Sequence, residues 1–313
     1  MKIVLLEGLG VSGEVIEKYA EKLRAMGHTF QAYEKNTDPN VQVERSRDAD
    51  VIMLANMPLD PSVIDGAPAL KFIDVAFTGV DHIPMEKARE RGIAVSNASG
   101  YATQAVAELC LSNMISLLRK VDQTQQRCRE GKTKDGLIGN LLCGKTVGIV
   151  GAGAIGKRTA ALCKAFGCRV IAYNRSKVQD PSIDGQVTLD ELLEQADVVS
   201  LHCPLTPQTK GLIGERELAR MKKSAILINT ARGGVVDTAA LAAALNRGEI
   251  AGAACDVFDM EPPLPQDYPL LRTPNTLVTP HIAFASEESL EQRAQIVFEN
   301  LYSWLEGKQM NQV

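Results

Sequence analysis

The stretch "TVGIVGAGAIG", residues 146–156, decides the fold. A run of apolar and β-branched residues leads straight into Gly151, Gly153 and Gly156, and a helical pattern follows. The segment therefore reads as strand, tight turn and helix with the spacing G-x-G-x-x-G. In such a unit the glycines let the backbone approach a pyrophosphate, and the helix amino terminus offers it N–H groups and a partial positive charge. The chain carries the pattern twice, because "KIVLLEGLGVSGE", residues 2–14, puts Gly8, Gly10 and Gly13 after another apolar run.

Neighbouring charge separates the two loops. Glu7 and Glu14 bracket the first and would repel a diphosphate, whereas the second has no acid from Gly144 to Arg169 and is followed by Lys157 and Arg158. A ribose-binding acid, expected about 20 residues on, follows the first loop as Glu34 in "QAYEK" but is missing after the second. There "VIAYNRSK" puts Asn174 at the acid's place, with Arg175, Ser176 and Lys177 behind it. Electrostatics assign the cofactor to the second loop and leave the first as a turn between strand and helix.

Outward from this unit the same rhythm fills the chain. A length of 313 residues predicts two domains, at roughly 100 to 200 residues each. Apolar runs "KIVLL", "VIML", "KFIDVAF" and "IAVSN" alternate with helical patterns over 12–26, 84–91 and 103–120. After residue 145, six more strands are expected from "TVGIV", "RVIAY", "VVSLHCP", "AILINTA", "AGAACDVF" and "TLVTPHI". The alternation predicts an α/β fold of two Rossmann-like, doubly wound parallel-sheet domains. The segment 103–120 is apolar on nearly all faces, as a helix is when buried between domains or subunits. A last helix from Ser286 lines Leu290, Ala294, Val297, Leu301 and Leu305 on one stripe, with Glu and Arg opposite, and is expected to pack on the first domain.

Composition excludes several classes. A net charge of −4, from 34 basic and 38 acidic residues well mixed, gives no attraction to nucleic acid or anionic membrane. Seven cysteines, an odd number without C-x-x-C spacing, suggest neither a disulfide framework nor a metal site and fit a reducing cytoplasm. No apolar run approaches the ~20 residues of a membrane span, and Glu7 interrupts the only candidate for a signal peptide.

Three segments at later strand ends bear ionisable side chains: "NTARGGVVD" with Arg232, "CDVFDMEPP" with Asp256 and Glu261, and "TPHIAFAS" with His281. Ligands of open parallel sheets bind outside strand carboxyl ends, so these side chains can converge. Each alone also fits a plain role: Arg232 capping a turn, Glu261 solvated before Pro262, His281 structural.

In the order "GKTVGIVGAGAIG", "DVVSLHCPLTPQTKGLIG", "ILINTARGGVVD", "AGAACDVF" with "EPP", and "TPHIA", the chain closely resembles the D-isomer-specific 2-hydroxyacid dehydrogenase family over essentially its whole length. The resemblance implies reversible, NAD(P)-dependent reduction of a small 2-keto acid to the D-2-hydroxy acid. It also implies a nucleotide domain, residues 99–284, inserted within a substrate domain of residues 1–98 and 285–313, and a homodimer built through the nucleotide domains with helix 103–120 as its surface.

Carried over residue by residue, the catalytic set is Arg232, Glu261 and His281. Arg232 would anchor carboxylate and carbonyl oxygen with its planar fork of donors. His281 would pass the proton, and Glu261 would orient the imidazole and favour its protonated form. Thr78 and Gly79 of "VAFTGVDH" match the loop whose N–H groups bind the substrate carboxylate, and Tyr101 matches a position near the active site. For the cofactor, the resemblance implies Gly151, Gly153, Ala154, Ile155 and Gly156 at the phosphates, and Asn174, Arg175 and Ser176 at the ribose. It sets His202, Cys203, Pro204 and Thr209 near the adenine, and Thr103, Thr230, Ala231, Asp256 and Ala283 toward the nicotinamide.

Two departures refine the expectation. Phosphoglycerate dehydrogenases of the family carry basic residues in the early loop, where this chain reads "LANMPLD" with Asn56 and Met57. A phosphate is poorly held without a cation, and no added regulatory domain is expected. A smaller 2-keto acid such as glyoxylate or hydroxypyruvate is expected instead. The second departure, "YNRSK", removes the ribose acid and offers Arg175 and Ser176 to a 2′-phosphate, as in NADP-preferring hydroxypyruvate and glyoxylate reductases, so NADP(H) is favoured over NAD(H). The alternative class is a dinucleotide-sensing regulator, since some members with the same triad act as transcriptional corepressors. Such proteins normally carry added partner-binding segments, none of which is expected here, so an enzyme is expected.

Overall fold

In the computed structural model, which describes residues 1–313, the chain divides into one unit of residues 1–102 with 285–313 and another of residues 103–284. Residues 99–102, expected in the nucleotide domain, fall with the first unit instead. Ala98 donates to Phe77 O at 3.0 Å, Ser99 N donates to Asn97 Oδ1 at 3.2 Å, and the Tyr101 ring lies 6.2 Å from that of Phe77.

The first unit contains β1 (Lys2–Leu5), α1 (Gly13–Ala25), β2 (Thr29–Ala32), α2 (Pro39–Ser46), β3 (Val51–Leu54), α3 (Pro61–Gly66), β4 (Phe72–Val75), α4 (Met85–Glu90) and β5 (Ala94–Asn97). Its five strands are parallel in the order β2-β1-β3-β4-β5. Strands β3 and β4 are buried along their whole length, as parallel strands covered on both faces must be. The edge strand β2, "TFQA", is mostly exposed and has no apolar run to announce it. Asp38 and Asp60 start α2 and α3, each accepting an N–H two residues on with proline at the first helical position.

The second unit contains α5 (Thr103–Arg119), α6 (Val121–Arg129), β6 (Thr146–Val150), α7 (Ala154–Ala165), β7 (Arg169–Tyr173), β8 (Gly185–Gln186), α8 (Leu189–Gln195), β9 (Val198–Leu201), α9 (Glu215–Arg220), β10 (Ile226–Asn229), α10 (Thr238–Arg247), β11 (Gly252–Cys255) and β12 (Thr276–Val278). Its seven parallel strands run β12-β11-β10-β9-β6-β7-β8. The order reverses between β6 and β9, so their carboxyl ends open the crevice where an α/β sheet takes its ligand. Helix α5 buries Val106, Ala107, Cys110, Met114 and Leu118 within this unit.

The final helix, α11 (Glu287–Leu305), belongs to the first unit and buries Ala294, Val297, Phe298 and Leu301. The Phe298 ring stacks on Tyr19 at 4.3 Å, and Trp304 stacks on Phe72 at 4.8 Å. The expectation that its arginine faces outward is wrong. Arg293, the helix's one arginine, is 4% exposed, because Leu9 O accepts from its Nη2 at 2.5 Å and the Tyr101 ring lies against its guanidinium. No helix is long and apolar enough to cross a membrane.

Candidate active site

In the second unit the loop after β6 gives its three glycines distinct duties. Gly151 has φ +96°, and a Cβ there would stand 2.7 Å from Cys203 N, so the turn lies directly on the chain leaving β9. A Cβ on Gly156 would stand 2.2 Å from Gly151 O, which presses α7 against its own turn. Around Gly153 nothing lies within 4 Å, and this residue caps α7 without a side-chain hydrogen bond. Open space over an uncapped helix amino terminus, with Ala154 exposed and Ile155 half-buried, fits the pyrophosphate of a dinucleotide.

Asn174, expected at the ribose, directly follows β7. Its Oδ1 accepts from Ala152 N at 3.1 Å, and its Nδ2 donates to Ser176 O and Oγ, both at 3.0 Å. Gln186 braces the same turn, donating to Asn174 O and Ser176 O at 3.0 Å. Arg175 and Ser176 are thereby presented on a fixed, exposed turn, and Arg175 has no ion pair within the chain.

After β9, His202 bonds Ser200 Oγ through Nε2 at 2.9 Å, and desolvation pushes its pKa down to about 4, so the ring is neutral. Cys203 is buried, Pro204 exposed, and Thr209 Oγ1 donates to Pro204 O at 2.6 Å. Thr230, after β10, shares a 3.0 Å contact with the Cys110 thiol of α5, whose first residue is the half-buried Thr103. Asn229 clamps the following turn by accepting from Ala231 N at 3.1 Å and donating to Arg232 O at 3.0 Å. A Cβ on Gly233 would fall 1.8 Å from the Phe258 carbonyl, so the Arg232 turn rests on the segment that leads from β11 to Glu261.

His281 follows β12. Its Nδ1 faces both Glu261 oxygens, at 3.1 and 3.0 Å, and its ring meets Phe284 edge-on at 5.5 Å. The backbone there has φ +56°, a conformation β-carbon residues rarely adopt, and so must be held by its surroundings. Asp256 does this. His281 N donates to Asp256 O at 2.8 Å, while the Asp256 carboxylate accepts from Thr279 Oγ1 at 2.6 Å, Ile282 N at 2.9 Å and Ala283 N at 2.8 Å. Burial pushes the Asp256 carboxyl above its ordinary range, against the pull of those donors. Anchoring of the His281 turn by Asp256 was not legible in sequence, because its donors lie more than twenty residues away.

In the first unit, Asn97 Nδ2 donates to Thr78 O at 2.7 Å and so fixes the turn carrying the exposed Thr78 and half-buried Gly79. Met57, expected beside a substrate, is corrected: it is 0% exposed, because the Glu7 carboxylate draws the N–H groups of Ala55 and Met57 inward at 3.0 and 2.8 Å. Asn56, between them, stays half-buried. Tyr101 is 2% exposed, packed by Phe77 and Arg293. The first glycine loop differs from the expectation in its reason. Glu7 does not face an open loop; it is buried and also pairs with Lys35 at 2.8 Å. The loop is closed by α11, since a Cβ on Gly10 would stand 3.1 Å from Leu290 and 3.2 Å from Arg293.

The chain is similar to known proteins along most of its length. Residues 111–283 match the family model for the NAD-binding domain of the D-isomer specific 2-hydroxyacid dehydrogenases. A glyoxylate reductase of Korarchaeum cryptofilum is 40% identical over 277 residues, covering 86% of this chain and 83% of that protein. A hydroxypyruvate reductase of Blautia hydrogenotrophica is 34% identical over 329 residues, covering 100% and 99%. Among solved structures, an acyclic imino acid reductase in complex with NADPH and D-Arg superposes with a TM-score of 0.92 at 29% identity, over 100% of both chains.

Proposed function

The chain belongs to the D-isomer-specific 2-hydroxyacid dehydrogenase family, and we propose that within it this protein reduces glyoxylate or hydroxypyruvate and prefers NADPH to NADH. The reaction class follows from the family: an oxidoreductase acting on CH–OH donors that reversibly reduces a 2-keto acid to the 2-hydroxy acid with a nicotinamide dinucleotide. The observation that carries the reading is the His281 imidazole, gripped through Nδ1 by both oxygens of Glu261. With the Nδ1 proton given to Glu261, exchange with substrate falls to Nε2, which donates a proton to the carbonyl oxygen in reduction and takes it back in oxidation. The dinucleotide, when bound, supplies hydride to C2. Arg232, on its clamped turn, holds the carboxylate and polarises the carbonyl.

NADPH preference is supported by the braced turn that presents Arg175 and Ser176 where an acid would reject a 2′-phosphate. A homodimer through the second unit is supported by Ile138 and Leu141, 70% and 69% exposed on the segment that returns to the end of α5. A reducing cytoplasm is supported by the seven unpaired cysteines. The test is a panel of 2-keto acids assayed with NADH and NADPH. Highest kcat/KM for glyoxylate or hydroxypyruvate with NADPH is expected; better efficiency with NADH overturns the cofactor reading, and preference for a branched or phosphorylated acid overturns the substrate reading.

A further inference from the structure

The first glycine loop binds no part of the proposed chemistry, yet it is built around one side chain. Arg293 projects from the buried face of α11, among Ala294, Val297 and Leu301. A guanidinium in that position loses its hydration and persists only where fixed partners replace it. The Leu9 carbonyl is one, at 2.5 Å. The Tyr101 ring is another, with its centroid 5.7 Å from the guanidinium carbon. The buried Glu7 carboxylate adds its field. Gly10 leaves the room: its φ is +73°, and a Cβ would come within 3.2 Å of Arg293 Nη2.

These contacts join two segments expected at the substrate. Glu7 holds the N–H groups on either side of Asn56. Arg293 holds Tyr101, whose ring packs by Phe77, directly before Thr78 and Gly79. The turn that seats Arg293 starts two residues after Glu7, so this one loop and the α11 side chain docked on it brace both.

We propose that Arg293 is a positioning residue for substrate recognition, acting through Tyr101 and the Leu9–Gly10 turn rather than by touching the reacting atoms. The proposal rests on the reductase reading above. It makes the first glycine pattern a seat for a cation of the protein itself, where the second is a seat for an anion of the ligand.

The test uses the full chain and the variants R293M, R293K, Y101F and R293M/Y101F, each assayed with the best 2-keto acid and dinucleotide. R293M is expected to raise KM for the keto acid ~10-fold or more while kcat stays within about threefold and dinucleotide affinity is unchanged. R293K should fall between R293M and wild type, Y101F should raise KM, and the double variant should be no worse than R293M. KM within about twofold of wild type in folded R293M, or additive effects in the double variant, overturns the proposal. Should R293M not fold, R293K and Y101F decide by the same KM criterion. Inactivity of the wild type toward every 2-keto acid would fail the reductase reading instead. Amide exchange at residues 9–12 and 99–102 would then decide, since faster exchange in R293K supports the positioning role and unchanged exchange overturns it.

Discussion

Asp256 holds His281 and the turn beyond it: the His281 N–H donates to Asp256 O at 2.8 Å, and the Asp256 carboxylate accepts the N–H groups of the next two residues, Ile282 and Ala283. The left-handed backbone of His281 depends on that grip. Replacing Asp256 by Ala removes three hydrogen bonds to a charged acceptor and should cost about 3–5 kcal/mol in denaturant unfolding. The imidazole should drift from its productive place, lowering kcat ~10²-fold. Full activity in a stable D256A variant would refute the anchoring role.

Gly233→Ala forces a Cβ into the Phe258 carbonyl, 1.8 Å away. Neither backbone can yield without shifting the Arg232 turn or the segment leading to Glu261. Loss of stability by about 1–3 kcal/mol, with kcat/KM falling further than the stability loss explains, is expected from unfolding curves and steady-state rates. Gly234→Ala, which meets only Leu205 side-chain atoms at 3.2 Å or beyond, should be milder.

Arg175→Ala should raise KM for NADPH ~10- to 100-fold, the value of one or two charge-assisted hydrogen bonds, and leave KM for NADH nearly unchanged. Equal effects on the two cofactors would assign Arg175 to general surface charge instead.

Asp74, at the middle of β4, is fully buried; one oxygen accepts from Asn300 Nδ2 at 3.1 Å and the other has no hydrogen-bond partner. Burial raises its carboxyl well above the ordinary carboxylate range. Since the folded value is raised, its contribution to stability is complete below the unfolded value and is lost as pH rises toward the folded one. Asp74→Asn should therefore match wild type near pH 4 and exceed it increasingly as pH rises, read by urea unfolding across pH. A gap independent of pH would refute this.

Strand positions were legible where burial on both faces demands continuous apolar runs, as in "VIML" and "ILIN", and illegible at the edges, where β2 is mostly exposed and β8 has two residues. The candidate site was legible where glycine or a titratable side chain marks a strand end. What could not be read were partnerships across distant sequence. Arg293 looked like an outward residue of an amphipathic helix, because its acceptor, Leu9 O, is 284 positions away. Met57 looked available because nothing local announces that Glu7 draws its backbone inward.

The glycines of residues 151–156 divide the work of folding from that of binding. Gly151 and Gly156 are demanded by the protein's own backbone, while Gly153, with open space around it and φ −75°, is demanded by nothing in the protein. A single methyl group at residue 153 should therefore yield a chain as stable as its parent but impaired in taking up dinucleotide, detectable as unchanged unfolding with weakened cofactor fluorescence quenching. The motif thus contains its own control: a folded, cofactor-blind counterpart that separates what the polypeptide does from what its ligand does.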